Sequence, residues 1–270
     1  MDLYTQFKTD LDIKNINFDS STTIENFDWL NAFGTTTNRF KVGYPLFIKF
    51  RGASCAIISA SCIYTLYDYA NTDCIIYWPI YLTHWTLCIS VIYSTTGLIA
   101  TYRIHNYRDS YSINQIPTYV QIHWLLQNPV FMLSFLVPTM FWAACKISNL
   151  NTRMCDVSAE PITIFIHGIN GAIIITDVIV SNQPYMVLHG VYSIGVGLAY
   201  LVWTYVHHLL QIGDCYNPNS NVPIYASVDW NNGFNVYKGF LILLGLPIVN
   251  FVGWYVYYAK LKKKSPLLIS

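Results

Sequence analysis

Charge is what this chain has least of. Only 11% of its 270 residues are Asp, Glu, Lys or Arg, against roughly 25% in soluble domains. Four long stretches carry no formal charge: between Asp73 and Arg103, between Asp109 and Lys146, between Asp177 and Asp214, and between Lys238 and Lys260. A soluble globular domain is excluded by that pattern. Also missing are a Cys-x-x-Cys pair, a glycine-rich phosphate loop, a nucleophile elbow and a His-Glu-x-x-His run, which removes the commonest nucleotide, zinc and soluble hydrolase signatures. There is no basic patch, so no nucleic-acid partner is expected. Nor do the first 42 residues hold a basic start followed by an apolar core, so they do not read as a cleaved signal peptide. The absence of any Asn-x-Ser/Thr acceptor leaves no glycosylation marker for topology.

What is present is apolar mass: 54% of residues are hydrophobic, with 22 Tyr and 8 Trp. About 20 apolar residues cross the hydrocarbon core as a helix, so each charge-free run holds one span. Two weaker runs, after Arg51 and from Pro161 through Asp177, add two more. The expected fold is all-α, a polytopic bundle of six transmembrane helices at about 48–68, 76–101, 122–145, 161–182, 186–211 and 238–259. With an even count both termini share one side. Placing them in the cytosol leaves all the Lys and Arg there except Lys146, Arg153 and Lys238, as the positive-inside rule requires. The chain then divides into a cytosolic arm (1–42), a membrane domain (43–260) and a cytosolic tail (261–270), in the plasma membrane or the endoplasmic reticulum. Lys49 and Arg51 are expected to snorkel to the interface, and the Lys run from Lys260 to Lys264 to mark the inner face. Trp29, Leu30 and Phe33 suit either an arm packed on the bundle or a plain tail. Gly52, Ala56 and Ala60, and likewise Gly195 and Ala199, have the four-residue spacing of close helix contacts.

Seven cysteines leave an odd one. Cys74, Cys145, Cys155 and Cys215 fall at or beyond the outer helix ends, where a Cys155–Cys215 disulfide or free thiols are equally compatible with the sequence. Cys55, Cys62 and Cys88 lie within spans.

Polar groups inside the spans are the candidates for function, because an unpaired one is costly in lipid. Thr83 and His84 are expected roughly 10 Å below the outer end of the second helix, at about 1.5 Å per residue. His167 and Asn170 share one face of the fourth helix. His207 and His208 sit near the outer end of the fifth, so His84, Asn170, His207 and His208 are expected to line an outward polar cavity with Thr83 and His167. Deeper, Asp177 and His189 are expected to pair across the Asn182-Gln183-Pro184 turn. A Thr hydroxyl becomes an acyl acceptor when a base takes its proton. Adjacent helical residues point about 100° apart, so a base from another helix, His167 above all, suits Thr83 better than His84. Asn170 or a second His could donate to the oxyanion. The bland alternatives are a Thr bonded to its own helix, inter-helix histidines, and an Asp–His structural bolt. The histidines have no metal-ligand spacing, so neither metal nor cofactor is expected.

The Tyr81-Leu82-Thr83-x-Trp85 segment resembles the rolling stone family of multipass membrane proteins, associated with myoblast fusion. So do His167-Gly168-Ile169-Asn170 followed by Asp177, the Pro184-Tyr185 turn with Leu188-His189, and the loop from Ile224-Tyr225 to Asp229-Trp230. The resemblance runs from about Tyr44 to Lys260. It implies a protein acting in cell–cell fusion or membrane organisation without catalysis, with the lipid bilayer and a membrane protein met through the outer loops as partners. More remotely the chain is similar to the androgen-induced family of intramembrane threonine hydrolases, which cleave fatty acid esters of hydroxy fatty acids. That likeness implies the alternative, a lipid-ester hydrolase with Thr83 as nucleophile and a lipid ester as ligand. Its catalytic His position falls on Asn170 here, and its non-catalytic first His on His167. An amide cannot serve as general base, so the base would be His167, His84 or His207.

Overall fold

The computed structural model describes residues 7, 28–37, 42–112, 115–147, 161–225 and 228–262. Six helices among them are long and apolar enough to cross a membrane. A short helix α1 (Trp29–Gly34) precedes them. The spans are α2 (Tyr44–Asn71), α3 (Leu82–Asn106), α4 (Thr118–Ile147), α5 (Pro161–Val180), α6 (Val187–Leu209) and α7 (Gly233–Lys262). All six expected spans are therefore present: α2, α4 and α7 are longer than expected at both ends, α3 begins and ends later, and α5 and α6 are slightly shorter.

Local sequence explains the boundaries. Gly43 and Pro45 open α2, with proline in the first turn where its missing N–H leaves no gap. Ahead of α3 the chain instead forms a 3-10 turn over Ile75–Ile80 containing Pro79, then extends at Tyr81. The second span therefore begins at Leu82 rather than at 76, and Thr83 lies in the first helical turn. Three successive carbonyls of that turn are bound by side chains: Trp78 by His84 Nδ1–H, Pro79 by Trp85 Nε1–H at 2.8 Å, and Ile80 by the Tyr200 hydroxyl at 2.7 Å. Such capture is what a broken helix needs, because orphan carbonyls are costly in a buried setting.

α4 is the central element and packs against α3, α5, α6 and α7; α3 also lies along α2. Ile58, Tyr93, Val130, Met132, Ile174, Leu246 and Trp254 form the core between them. Large apolar side chains such as Ile63, Val202, Leu244 and Ile248 point outward and are more than 60% exposed, the arrangement expected where lipid rather than water is the solvent.

Small residues govern close approach at sites other than the expected stripes. A Cβ added at Gly97 would meet the His123 ring at 2.5 Å, and one at Gly171 would meet the Ser134 carbonyl at 2.6 Å. At Gly52 and Gly195 there is nothing within 4 Å. The four-residue spacing thus marks a lipid-facing surface here, and the tight helix contacts fall on glycines with no such partner in sequence.

The two ends of the bundle are closed differently. At one end, Cys74 after α2 is disulfide-bonded to Cys215 after α6. The expected Cys155 partner is thereby displaced; Cys155 itself lies outside the described residues. The Ile75–Ile80 turn and the loop carrying Ile212 and Ile224 pack together around this bridge. At the other end Trp29, Leu30 and Phe33 of α1 are buried against α3 and α4 through Ala100, Ile104, Val120 and Trp124. Backbone bonds from Thr37 N to Val180 O (2.9 Å) and from Asn182 N to Thr35 O (3.1 Å) tie that segment to the end of α5. Lys260 donates to the Val178 and Ser181 carbonyls at 2.8 and 3.3 Å, a cation on the carboxyl end of α5 as the helix dipole favours. Lys262 to Lys264 and the rest of the tail carry no described side chains.

Candidate functional site

Two polar nodes occupy the bundle, one toward each end. At the disulfide end the Thr83 Oγ1 lies 3.4 Å from His167 Nε2. The His167 Nδ1 faces the Thr163 carbonyl at 3.3 Å. A carbonyl only accepts, so Nδ1 carries the proton and Nε2 presents its lone pair to the hydroxyl. Trp142 donates to the His167 carbonyl at 2.9 Å, and the Phe141 ring stacks on the imidazole with centroids 3.8 Å apart. His167 sits in a single π-helical turn, Phe165–Ile169, inside α5; such widened turns insert one residue and re-aim side chains, often at working sites. The threonine is nearly buried, whereas His167 and its neighbours Phe165 and Ile164 reach the bundle surface. Nothing lies within 4 Å of a Cβ built on Gly168.

Of the other residues expected to share an outer cavity, three are engaged elsewhere. His84 donates to Trp78, stacks on its indole at 4.6 Å and meets the Tyr69 and Tyr81 edges; it is a clamp on the 3-10 turn and points away from Thr83. Asn170 accepts from Ser61 at 3.4 Å, joining α5 to α2. His207 donates to the Gly213 carbonyl at 2.7 Å, securing the turn where Gly213 has φ +71°. His208 is half-buried beside it in sequence, and no bond connects it with Thr83 among the described residues. Tyr225, a motif residue in the sequence, lies beside this node. Its ring meets those of Tyr81 and Tyr200 with centroids 6.3 and 6.5 Å apart. Burial raises the pKa of this phenol, and burial, seconded by the Asp214 carboxylate, pushes that of Tyr81 up to about 12. Both therefore remain neutral donors at physiological pH.

The second node corrects two expectations. Arg51 does not snorkel: only 3% exposed, it sits seven residues inside α2, about 10 Å from its start at 1.5 Å per residue. Its Nε and Nη2 donate to the two oxygens of Asp177 at 2.9 and 3.1 Å, and Nη1 donates to the Gly97 carbonyl (3.0 Å) and Thr101 (2.7 Å). Tyr93 donates to Asp177 Oδ2 at 2.8 Å, and His123 donates to the Tyr93 carbonyl at 2.9 Å. Asp177 is thus saturated by Arg51 and Tyr93 and does not pair with His189, which packs edge-on against Trp124. A lone carboxylate in an apolar run needs a buried cation, and of the two arginines within the spans, Arg51 and Arg103, Arg51 is the buried one. A cavity lies here, lined by Arg51, Ser54, Tyr93, Ser94, His123 and Asp177 among others. No three His, Cys, Asp or Glu side chains converge as a metal-ligand group among the described residues.

Six apolar spans around a fully buried ion pair, with lipid-facing aliphatic side chains, define a multipass helical integral membrane protein. The family model described as "Protein rolling stone" matches residues 46–267, and the chain belongs to that family. It is similar to "Protein rolling stone" of Drosophila melanogaster, 28% identical over 114 residues that cover 42% of this chain and 38% of that protein. The aligned stretch is thus well under half the length of that relative. No solved structure matches the chain.

Proposed function

We propose that this protein is an intramembrane hydrolase of lipid esters in which Thr83 is the nucleophile and His167 the general base. The observation that carries the reading is the 3.4 Å approach of Thr83 Oγ1 to His167 Nε2, with the tautomer fixed by the Thr163 carbonyl. Position supports it as well. Thr83 stands in the first turn of α3, about 1.5 Å from the helix end at one residue's rise. That is the level at which a lipid's ester carbonyl lies while its chains extend among the helices. The surface-reaching face of α5 at Phe165 and Gly168 gives a lateral approach from the bilayer.

The chemistry is acyl transfer. His167 Nε2 takes the Thr83 proton as Oγ1 bonds to the carbonyl carbon, and the carbonyl π pair moves to oxygen. Collapse breaks the bond to the leaving alcohol, which receives the proton from His167. A water molecule, deprotonated by the same imidazole, then attacks the acyl-threonine; the bond from the acyl carbon to Oγ1 breaks, Oγ1 takes the proton back from His167, and the fatty acid is released. The likeness to the androgen-induced family supports fatty acid esters of hydroxy fatty acids as the substrate class. Asn170 takes no part as base; its neighbour one turn earlier does.

The test is turnover of a long-chain ester, together with covalent labelling by a fluorophosphonate, on detergent-purified protein. Thr83→Ala is expected to abolish both, and His167→Ala to lower turnover by about 10²–10⁴-fold. Unchanged turnover in folded Thr83→Ala protein would overturn the reading.

A second reading is supported by the disulfide-tied cap. A rigid surface built on Cys74–Cys215 and the Asp214–Ser220 turn suits a contact role in cell–cell fusion or membrane organisation without catalysis, at the plasma membrane, with a membrane-protein partner. The bridge also supports placing that end in the exterior or the lumen of the endoplasmic reticulum, with both termini cytosolic. In a cell-mixing assay, fusion retained by Thr83→Ala and lost on substitution of cap residues would favour this reading over the first.

A further inference from the structure

We infer that Phe141, near the end of α4, is a positioning residue of the base: its ring face holds the His167 imidazole toward Thr83 and stabilises the imidazolium formed when Nε2 takes the hydroxyl proton. The inference rests on the hydrolase reading and deepens it. A histidine that accepts a proton away from water needs its new charge met. In Ser-His-Asp triads a buried carboxylate does this while also fixing the tautomer. Here the two tasks are separate. The Thr163 carbonyl faces Nδ1 at 3.3 Å and fixes the tautomer, but it carries no formal charge. No carboxylate is paired with His167 among the described residues, and Asp177 of the same helix is held by Arg51 and Tyr93.

The Phe141 ring lies where that charge has to be met. Its centroid is 3.8 Å from that of the imidazole, with 14° between the two planes. A cation within about 6 Å of an aromatic centroid is drawn to the negative face of the ring, more strongly when water is excluded. A face-to-face stack covers one side of the imidazole and leaves its edge open. Nδ1 and Nε2 lie in the ring plane, so they keep Thr163 and Thr83 as partners while the face is occupied. The attraction is slight for the neutral imidazole and larger for the imidazolium, so it grows toward the transition state, as a catalytic contribution must. An aromatic face also suits the setting, since it adds no charge that would have to be stripped of water in the membrane.

The fold fixes the stack from two sides. Gly171, four residues beyond His167, lets α5 close on α4: a Cβ there would meet the Ser134 carbonyl at 2.6 Å and Pro138 Cγ at 3.2 Å. Ser134 and Pro138 precede Phe141 by seven and three residues, which puts all three on one side of α4. Trp142, next in sequence, donates to the His167 carbonyl at 2.9 Å. Its ring stands edge-on to Phe141, with centroids 5.2 Å apart and 87° between planes. Two consecutive residues of α4 thus hold the base, one by its backbone and one by its ring.

The experiment replaces Phe141 in the full-length protein with phenylalanine analogues carrying one, two and three ring fluorines. Hydrolysis of a long-chain 4-nitrophenyl ester is then followed in detergent. Each fluorine draws charge from the ring face and leaves the shape nearly unchanged. Both kcat and kcat/KM should fall together with each added fluorine while KM stays level, reaching a loss of about 3–30-fold at three fluorines. Phe141→Leu, which keeps apolar bulk without an aromatic face, should lose at least as much, and Phe141→Tyr should stay close to wild type. Thermal unfolding checks each variant; should Phe141→Leu fail to fold, the fluorinated series still decides, because it keeps the ring. Equal kcat across that series in folded protein would overturn the inference and leave Thr83 and His167 standing. Turnover that survives Thr83→Ala, or its absence from folded wild-type protein, would instead overturn the hydrolase reading and the inference with it.

Discussion

The two polar nodes differ in how completely their groups are bound. Around Arg51 and Asp177 each charged nitrogen and oxygen has a partner at 2.7 to 3.1 Å, supplied by α2, α3 and α5, and the groups are almost wholly buried. Around Thr83 and His167 the groups are neutral, meet at 3.4 Å and open toward the bundle surface. A saturated ion pair in lipid locks helices together, because every alternative leaves a bare charge. A neutral hydroxyl beside an imidazole lone pair leaves the helices free to separate slightly and the hydroxyl free to react. On the hydrolase reading, stability and reactivity are divided between the two ends of one bundle.

The comparison breaks most visibly through the ion pair. Asp177→Asn should destabilise the protein by about 3–5 kcal/mol, since it strands a buried guanidinium, as read by thermal unfolding in detergent. Arg51→Met combined with Asp177→Leu should recover most of that loss. Thr83→Val, by contrast, should change stability by less than about 1 kcal/mol while removing turnover. The next largest effect is expected at the cap: Cys74→Ser opens a bridge between residues 141 apart in sequence and should cost about 2–5 kcal/mol, loosening the Thr83 node in particular. Hydrogen exchange faster over 75–85 than over 93–101 would show that selectivity, and equal acceleration of both would refute it.

A finer probe is Gly97→Ala. It forces a methyl to within 2.5 Å of the His123 ring beside the Arg51 node and should destabilise by about 1–3 kcal/mol. Least of all, Gly52→Ala adds a methyl where nothing lies within 4 Å. It should be neutral or stabilising by up to about 1 kcal/mol from helix propensity alone. A large loss there would show that Gly52 faces a helix of another molecule.

Much of the fold was legible because hydropathy is local. Six apolar runs gave six spans, and the alternation of loops followed. The errors came where polar chemistry interrupts a run. Pro79 and the carbonyls it leaves free move the start of α3 from 76 to Leu82, which brings Thr83 from an expected depth of roughly 10 Å to the first turn of the helix. Arg51 looked interfacial because its run was counted from Gly52, whereas the helix begins at Tyr44. The regular small-residue spacing at Gly52 was a weaker guide than the bulk of the neighbour: Gly97 matters because His123 is opposite it, and nothing near Gly97 in sequence announces that. Thr83 and His167 were legible as chemistry-bearing groups in the right helices. Tyr225 was visible only as a motif residue, because an aromatic loop in a chain of 22 tyrosines carries no distinguishing pattern.

Composition and the placement of charge determined that this protein crosses the membrane and where, because transfer into lipid is a sum over residues that needs no partner. The choice of partners was decided by tertiary structure. Asp177 takes Arg51 across 126 residues and Thr83 meets His167 across 84, while Cys215 turns to Cys74. Each such pairing depends on which faces of two helices meet and at what depth, and a shift of two residues at one helix end rotates a side chain by about 200°.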